Sequence, residues 1–270
     1  MPRPALGSMD ALSTEHIDWL KRQRDRSPKT IESRIRVLRS LPNAGTATRE
    51  EVEAWWEARA ELATGTRAVD LSHLKGFYRW CQIYDHRTDD PTVRIRPPRV
   101  QNRIPKKASA ADVATLLESD LPPDLRRAFL LGCYAGLRVA EAAALAWEDV
   151  DEDACTITVR EGKGGKSRVV DVSPLLIDWL GARGPGHVVG GDEPTTAAAL
   201  QRRLNRAIKA AGLTITTHSL RHRWGMVAYQ STGDLLAVAE MMGHSSINTT
   251  KIYAQASSDV KKKIASAVMR

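Results

Sequence analysis

Two different rhythms of apolar and polar positions run along the chain. Up to about residue 85 the rhythm is helical. Ile31, Ile35 and Leu38 mark one apolar face, with Lys29 and Arg36 opposite. Leu71, Leu74, Tyr78 and Cys81 recur at 3-4-3 spacing, flanked by Lys75 and Arg79. Start signals divide this stretch. Ser27-Pro28 places a capping residue before a proline at the first helical position. Thr48 followed by Glu51 forms a capping box ahead of Trp55 and Trp56. Four helices are predicted between residues 10 and 85.

Beyond residue 107 the rhythm is mixed. Cys155–Val159 and Val169–Val172 alternate as strands, and Glu161-Gly162-Lys163-Gly164-Gly165-Lys166 lies between them, predicting a β-hairpin with a glycine-rich turn. Helices are expected at 109–118, 124–135, from near Arg138, and at 174–183, 195–211, 217–231, 234–242, 246–254 and 258–269. Between the two regions, Pro91, Pro97, Pro98 and Pro105 break any helix, and seven Arg and Lys accumulate from Arg87 to Lys107. That composition predicts an extended basic linker. The fold class expected is mainly α, in two domains: residues 1–88 helical, 89–107 linking, 108–270 mixed with a small antiparallel sheet.

Charge and composition narrow the partners. Hydrophobic residues make up 42% of the 270, which supplies real cores and disfavours a disordered chain. The net charge of +8 favours an anionic partner, nucleic acid being the commonest. Residues 1–106 hold 20 Lys and Arg against 14 Asp and Glu, so the N-terminal part is the more basic. Three cysteines, Cys81, Cys133 and Cys155, form no Cys-x-x-Cys pair, and neither a disulfide framework nor a zinc ribbon follows. Cys133, in an apolar run, is expected to be a buried thiol. Met1-Pro2-Arg3-Pro4 has no apolar signal core and no run approaches a membrane span, so a cytoplasmic protein without a membrane partner is expected.

Three segments can carry chemistry. In Ala135-Gly136-Leu137-Arg138-Val139-Ala140-Glu141, an arginine after a glycine turn at a helix start is poised to hold an anion. The plainer alternative is an Arg–Glu pair at i,i+3 on a solvated helix. In His218-Ser219-Leu220-Arg221-His222, His218 and Arg221 share a helix face and can converge on one phosphate. His218 and His222 could instead bind metal, but no neighbouring carboxylate completes such a site; ordinary surface histidines are the plain alternative. In Met242-Gly243-His244-Ser245-Ser246-Ile247-Asn248-Thr249-Thr250-Lys251-Ile252-Tyr253, the serine pair can cap a helix that carries Tyr253. A lone tyrosine there would more often be packing.

Taken together, these segments resemble the tyrosine recombinase (phage integrase) family. That family's boxes look like Gly-Leu-Arg-x-x-Glu, His-x-Leu-Arg-His, and Leu-Gly-His-Ser-Ser followed nine residues later by Tyr. The corresponding residues here are Gly136 to Glu141, His218 to His222 and Met242 to Tyr253, and Lys163 matches the hairpin lysine. Met242 stands where many relatives have Leu, and Ala254-Gln255 where many have Thr-His. The resemblance is strong over 108–270 and weaker over 10–90, which is similar to the helical core-binding domain.

The resemblance implies a site-specific recombinase shaped as a C-shaped DNA clamp. It makes Arg138, Lys163, His218, Arg221, His244 and Tyr253 the catalytic set. Tyr253 would attack the phosphate, forming a 3′-phosphotyrosyl link. His218 would help remove the phenolic proton, whose pKa near ~10 leaves it bound at neutral pH. Arg138 and Arg221 would each give paired N–H donors to the transition state, with His244 adding another. Lys163, with Lys166 as rival, would protonate the leaving 5′-oxygen. Glu141 would orient Arg138, and His222 would stand behind the catalytic set. No cofactor and no metal are expected. The partners implied are double-stranded DNA at specific sites, a homotetramer on paired sites passing through a Holliday junction, and an accessory DNA-bending or directionality factor. A minimal phage or mobile-element integrase without an arm-binding domain is the first reading. A Xer-like chromosome-dimer resolvase is the alternative, with a type IB topoisomerase and a catalytically silent regulator behind it. The last predicted helix carries Val260, Ile264 and Val268 in one stripe, which could dock on its own domain or on a neighbouring protomer.

Overall fold

The computed structural model describes residues 7–23, 28–99, 107–160, 167–243 and 250. The chain forms two compact units, residues 1–102 and 103–270.

The first unit holds the four expected helices: α1 (Ala11–Gln23), α2 (Pro28–Arg39), α3 (Arg49–Glu57) and α4 (Thr64–Ile83). The capping box is present, Thr48 Oγ1 accepting from the Glu51 N–H while Glu51 accepts from the Thr48 N–H. The α4 stripe is the core: Leu71, Leu74, Tyr78 and Cys81 are all buried, with Phe77 among them. They pack on Ile17 and Leu20, Val37 and Leu38, and Val52 and Trp55. Each such side chain contributes about 1.5–3 kcal/mol on burial. Two buried polar groups inside are paired. Tyr78 donates to the Ala44 carbonyl, and buried Asp70 takes Arg36 at 2.9 Å and Arg59 at 3.7 Å. Hence Arg36, expected on the polar face of α2, is turned to an internal carboxylate.

Within the segment expected as a linker, residues 90–95 fold onto the first unit. Asp90 accepts from the Thr92 N–H and hydroxyl in an Asx-type turn. That turn folds Ile95 into the first core, where its carbonyl accepts from Lys75 Nζ. Proline content alone does not distinguish a turn of this kind from an extended run.

The second unit is built round α6 (Pro123–Tyr134), whose Phe129, Leu130 and Leu131 are fully buried. Against it lie α5 (Ala110–Glu118), α7 (Val139–Ala144), α8 (Pro174–Leu180), α9 (Ala197–Ala210) and α10 (Thr217–Thr232), and α11 (Leu235–Met241) follows. Cys133 is buried as expected, and burial pushes its thiol up to about 11. The sheet is antiparallel, in the order β1 (Val150–Asp151), β2 (Thr156–Val159), β3 (Arg168–Asp171). Ile157 pairs with Val170 and Val159 with Arg168. Strand β1 has two residues, too few for a pattern to announce it. Cys155 takes φ 51° and belongs to the turn before β2, not to the strand. The expected turn at 161–166 and the helices at 246–254 and 258–269 lie outside the described residues. No helix among the described residues is long and apolar enough to cross a membrane.

Candidate active site

The site is assembled on the end of α6. Gly136 adopts φ +65°, which a side chain resists. A Cβ there would also lie 2.8 Å from the indole of Trp224. Trp224 belongs to α10 and donates from Nε1 to the Tyr134 carbonyl, capping the end of α6. The glycine therefore lets the chain reverse beneath an indole and deliver Arg138 to the start of α7.

Glu141, one turn into α7, is the centre of the polar cluster. Its side chain is 4% exposed. One carboxylate oxygen accepts from the Arg138 N–H at 2.8 Å, and the other from Arg138 Nη1 at 2.6 Å. Arg168, the first residue of β3, straddles both oxygens at 2.9 Å each. Arg221 Nη1 lies 3.6 Å from Oε2. Burial pushes the Glu141 carboxyl up. The hydrogen bonds from Arg168 and the Arg138 N–H, with the charges beside them, more than offset this and hold it at about 2. The Arg–Glu pair read as a solvated i,i+3 contact is thus a buried one.

The same arginines grip the end of α11. Arg168 Nε donates to the carbonyl of Met241, Arg221 Nη2 to that of Met242, and Arg138 Nη2 to that of Gly243. Arg221 also donates to the Gly136 carbonyl, and at 2% exposure is among the most buried charged side chains. Guanidinium groups at the carboxyl end of a helix complement its dipole. Gly243, at φ +60°, leaves room for the grip, because a Cβ there would lie 2.8 Å from Arg168 Nη1.

His218 stands one turn before Arg221 on α10, and its ring meets that of His222 edge-on with centroids 4.4 Å apart. Partial burial, with Arg221 and Arg138 beside it, lowers the His218 pKa. Burial, His218 and Arg221 lower His222 to about 4. Both shifts favour the neutral imidazole, the state in which a histidine can accept a proton. Among the described residues, no cluster of three His, Cys, Asp or Glu side chains could hold a metal.

Of the predicted set, then, Arg138, His218 and Arg221 converge. Lys163, His244 and Tyr253 lie outside the described residues, as does Lys166. Arg168 was not anticipated. The strand was expected from Val169, and Arg168 proves to be its first residue. Three guanidinium groups around one carboxylate leave two positive charges unmatched within that cluster, and arginine does not deprotonate in proteins. A phosphate diester, with its single negative charge, matches one of these through paired N–H donors.

A mainly helical domain with a three-stranded antiparallel sheet thus gathers three arginines round one buried carboxylate with a histidine beside them, an arrangement suited to an anionic substrate. The comparisons narrow the class. The phage integrase family profile matches residues 110–259. The tyrosine recombinase XerC of Chromobacterium violaceum is 32% identical over 259 residues, covering 84% of each chain. A lambda integrase dimer bound to a COC′ core site has a TM-score of 0.73 at 21% identity, over 88% of this chain and 96% of that one. A lambda integrase tetramer bound to a Holliday junction has a TM-score of 0.73 at 20% identity, over 92% of this chain and 77% of that one. The two structural matches speak to the fold. The sequence matches speak to the family: the chain belongs to the phage integrase family of tyrosine recombinases, enzymes of site-specific DNA recombination.

Proposed function

We propose that the chain cuts and rejoins double-stranded DNA at specific sites through a covalent bond to Tyr253. The observation that carries this is the excess of guanidinium over carboxylate round Glu141, beside His218. In the first step Tyr253 Oη bonds to the scissile phosphorus and the bond to the 5′-oxygen breaks. The phenolic proton passes to His218, directly or by relay. Lys163 gives a proton to the departing 5′-oxygen. Arg138, Arg221 and His244 donate to the non-bridging oxygens as charge builds there; one such donor is typically worth roughly 3 kcal/mol of barrier. Resealing reverses these transfers and needs no ATP, because the phosphotyrosyl link conserves the bond energy.

In this reading residues 1–88 bind the core site, the chain around 89–107 connects, and 108–270 catalyse, in the bacterial cytoplasm. Four copies act on two sites. The support for that assembly is the fold shared with the lambda integrase tetramer on a Holliday junction. We read the enzyme as a phage or mobile-element integrase that can call on a DNA-bending or directionality factor. A Xer-type resolvase is the second reading, favoured by the XerC match spanning 84% of the chain. Mapping covalent attachment across the host genome separates them: junctions of a mobile segment support the first, one fixed chromosomal site the second.

The test of the nucleophile is Tyr253→Phe. The variant should bind site DNA nearly as the wild type does, since one oxygen is lost and the basic surface is intact, and it should form no covalent complex on denaturing gels. Cleavage by this variant at the wild-type rate would remove Tyr253 from the mechanism.

A further inference from the structure

We propose that Arg168 is a positioning residue for strand cleavage, fixing the Glu141 carboxylate and the Met241 carbonyl together and so setting where Arg138 and the chain leading to Tyr253 stand. The proposal rests on the reading of Tyr253 as the nucleophile. Three observations carry it.

Arg168, unlike Arg138, places side-chain nitrogens on both Glu141 oxygens. Its Nη1 and Nη2 lie on the two Glu141 oxygens and its Nε on the Met241 carbonyl, so each of its nitrogens is engaged within the protein. Its side chain is 11% exposed, against 25% for Arg138. Arg138 keeps a partly open guanidinium for a ligand. With Nε, Nη1 and Nη2 all committed to Met241 and Glu141, Arg168 is placed to act through those groups.

The elements that it joins are distant in sequence. Arg168 begins β3 and pairs with Val159 of β2, and the sequence between those two residues includes Lys163. Glu141 lies in α7, and Met241 ends α11 two residues before Gly243, the last described residue ahead of His244. One planar side chain thus ties three elements, each leading to a residue of the proposed mechanism. Lysine cannot repeat this, since an ammonium is a point charge on a flexible stem.

The local backbone accommodates Arg168. Gly243 at φ +60° has no Cβ, and one added there would overlap Nη1 and Cζ of Arg168 at 2.8 and 3.0 Å. The glycine between Met242 and His244 is thus shaped to the guanidinium as well as to the turn.

The experiment compares the wild type with Arg168→Ala and Arg168→Lys on a nicked site that traps the covalent complex. It measures DNA affinity, the cleavage rate constant at saturating DNA, and the burst amplitude. A misplacement of about 1 Å costs on the order of 100-fold in rate. Arg168→Ala should therefore cleave roughly 100-fold more slowly at full amplitude and with wild-type affinity. Arg168→Lys should remain at least about tenfold slow, because it cannot bridge both oxygens. A leaving group with a 5′-bridging sulfur should rescue neither, since leaving-group protonation is not the step affected. A wild-type rate constant in either variant overturns the proposal. So does a loss confined to burst amplitude, which is the mark of a merely less stable fold. Should Arg168→Ala not fold, the rate constant of Arg168→Lys decides alone. Cleavage by Tyr253→Phe would overturn the nucleophile reading while leaving any rate loss at Arg168 standing, so the two failures are distinguishable.

Discussion

At the scale of single residues, the chemistry turns on how protons are divided. Lys163 is proposed to protonate the leaving oxygen, a role worth roughly 10²–10⁴-fold in rate. Lys163→Ala should lose about that much on ordinary DNA, again roughly 10²–10⁴-fold. A 5′-bridging sulfur leaves without a proton, so it should restore most of the loss in single-turnover cleavage. Equal defects on both substrates would move the role to Lys166. The sequence made Arg138, His218 and Arg221 legible because each sits in a short box with a glycine or a second basic residue at fixed spacing. It did not reveal Arg168. A lone arginine opening a strand has no local pattern, and its partners lie 27 and 73 residues away. Nor could it show that Glu141 is buried, since exposure at i,i+3 depends on what covers the helix.

Among the elements, the junction of α6 with α7 carries the most constraint. Gly136→Ala would meet two costs, a left-handed backbone worth roughly 1–2 kcal/mol and the Trp224 indole at 2.8 Å. The expected outcome is a lower melting temperature together with slower cleavage, because Arg138 begins the next helix. If melting falls and the cleavage rate constant does not, the turn serves stability alone. Helices with strong periodicity or caps, α5, α9 and α10 above all, were readable to within two residues. The short pieces were not. Strand β1 exists because β2 offers it an edge, and the Asp90–Thr92 turn exists because a side chain replaces a backbone partner; both are tertiary or side-chain facts that an apolar period does not record.

Across the whole molecule, each unit has its own acid sensitivity. In the first, burial and then Arg34 hold His16 at about 3, against 6.5 for an ordinary imidazole. His73 is held at about 4, again by burial before Arg34. In the second, His222 lies at about 4 and Glu141 at about 2, against 6.5 and 4.5. For every one of these groups the unfolded chain takes up the proton first. Stability is therefore whole above the ordinary histidine value and falls as pH drops from 6.5 toward 3 to 4. Glu141 adds its loss between 4.5 and about 2. Thermal melts from about pH 7.5 down to about 4.5 should show melting temperatures declining from the start of the histidine range. A flat profile down to about pH 5 would mean that these imidazoles are protonated at no cost in the folded state.

The pairing of Val159 with Arg168 also makes the hairpin a matter of odd and even. Side chains alternate along β3, where Val170 points to the core and Val169 and Asp171 point away. Lengthening the turn between the strands, by any number of residues, leaves Arg168 and Val170 on the inward side. Inserting a single residue after Arg168 would reverse every later position in the strand, and a one-residue slip of the ladder would exchange Arg168 for Val169 at Glu141. Variation in this protein's relatives should therefore gather in the length of that turn and spare the parity of the strand behind it.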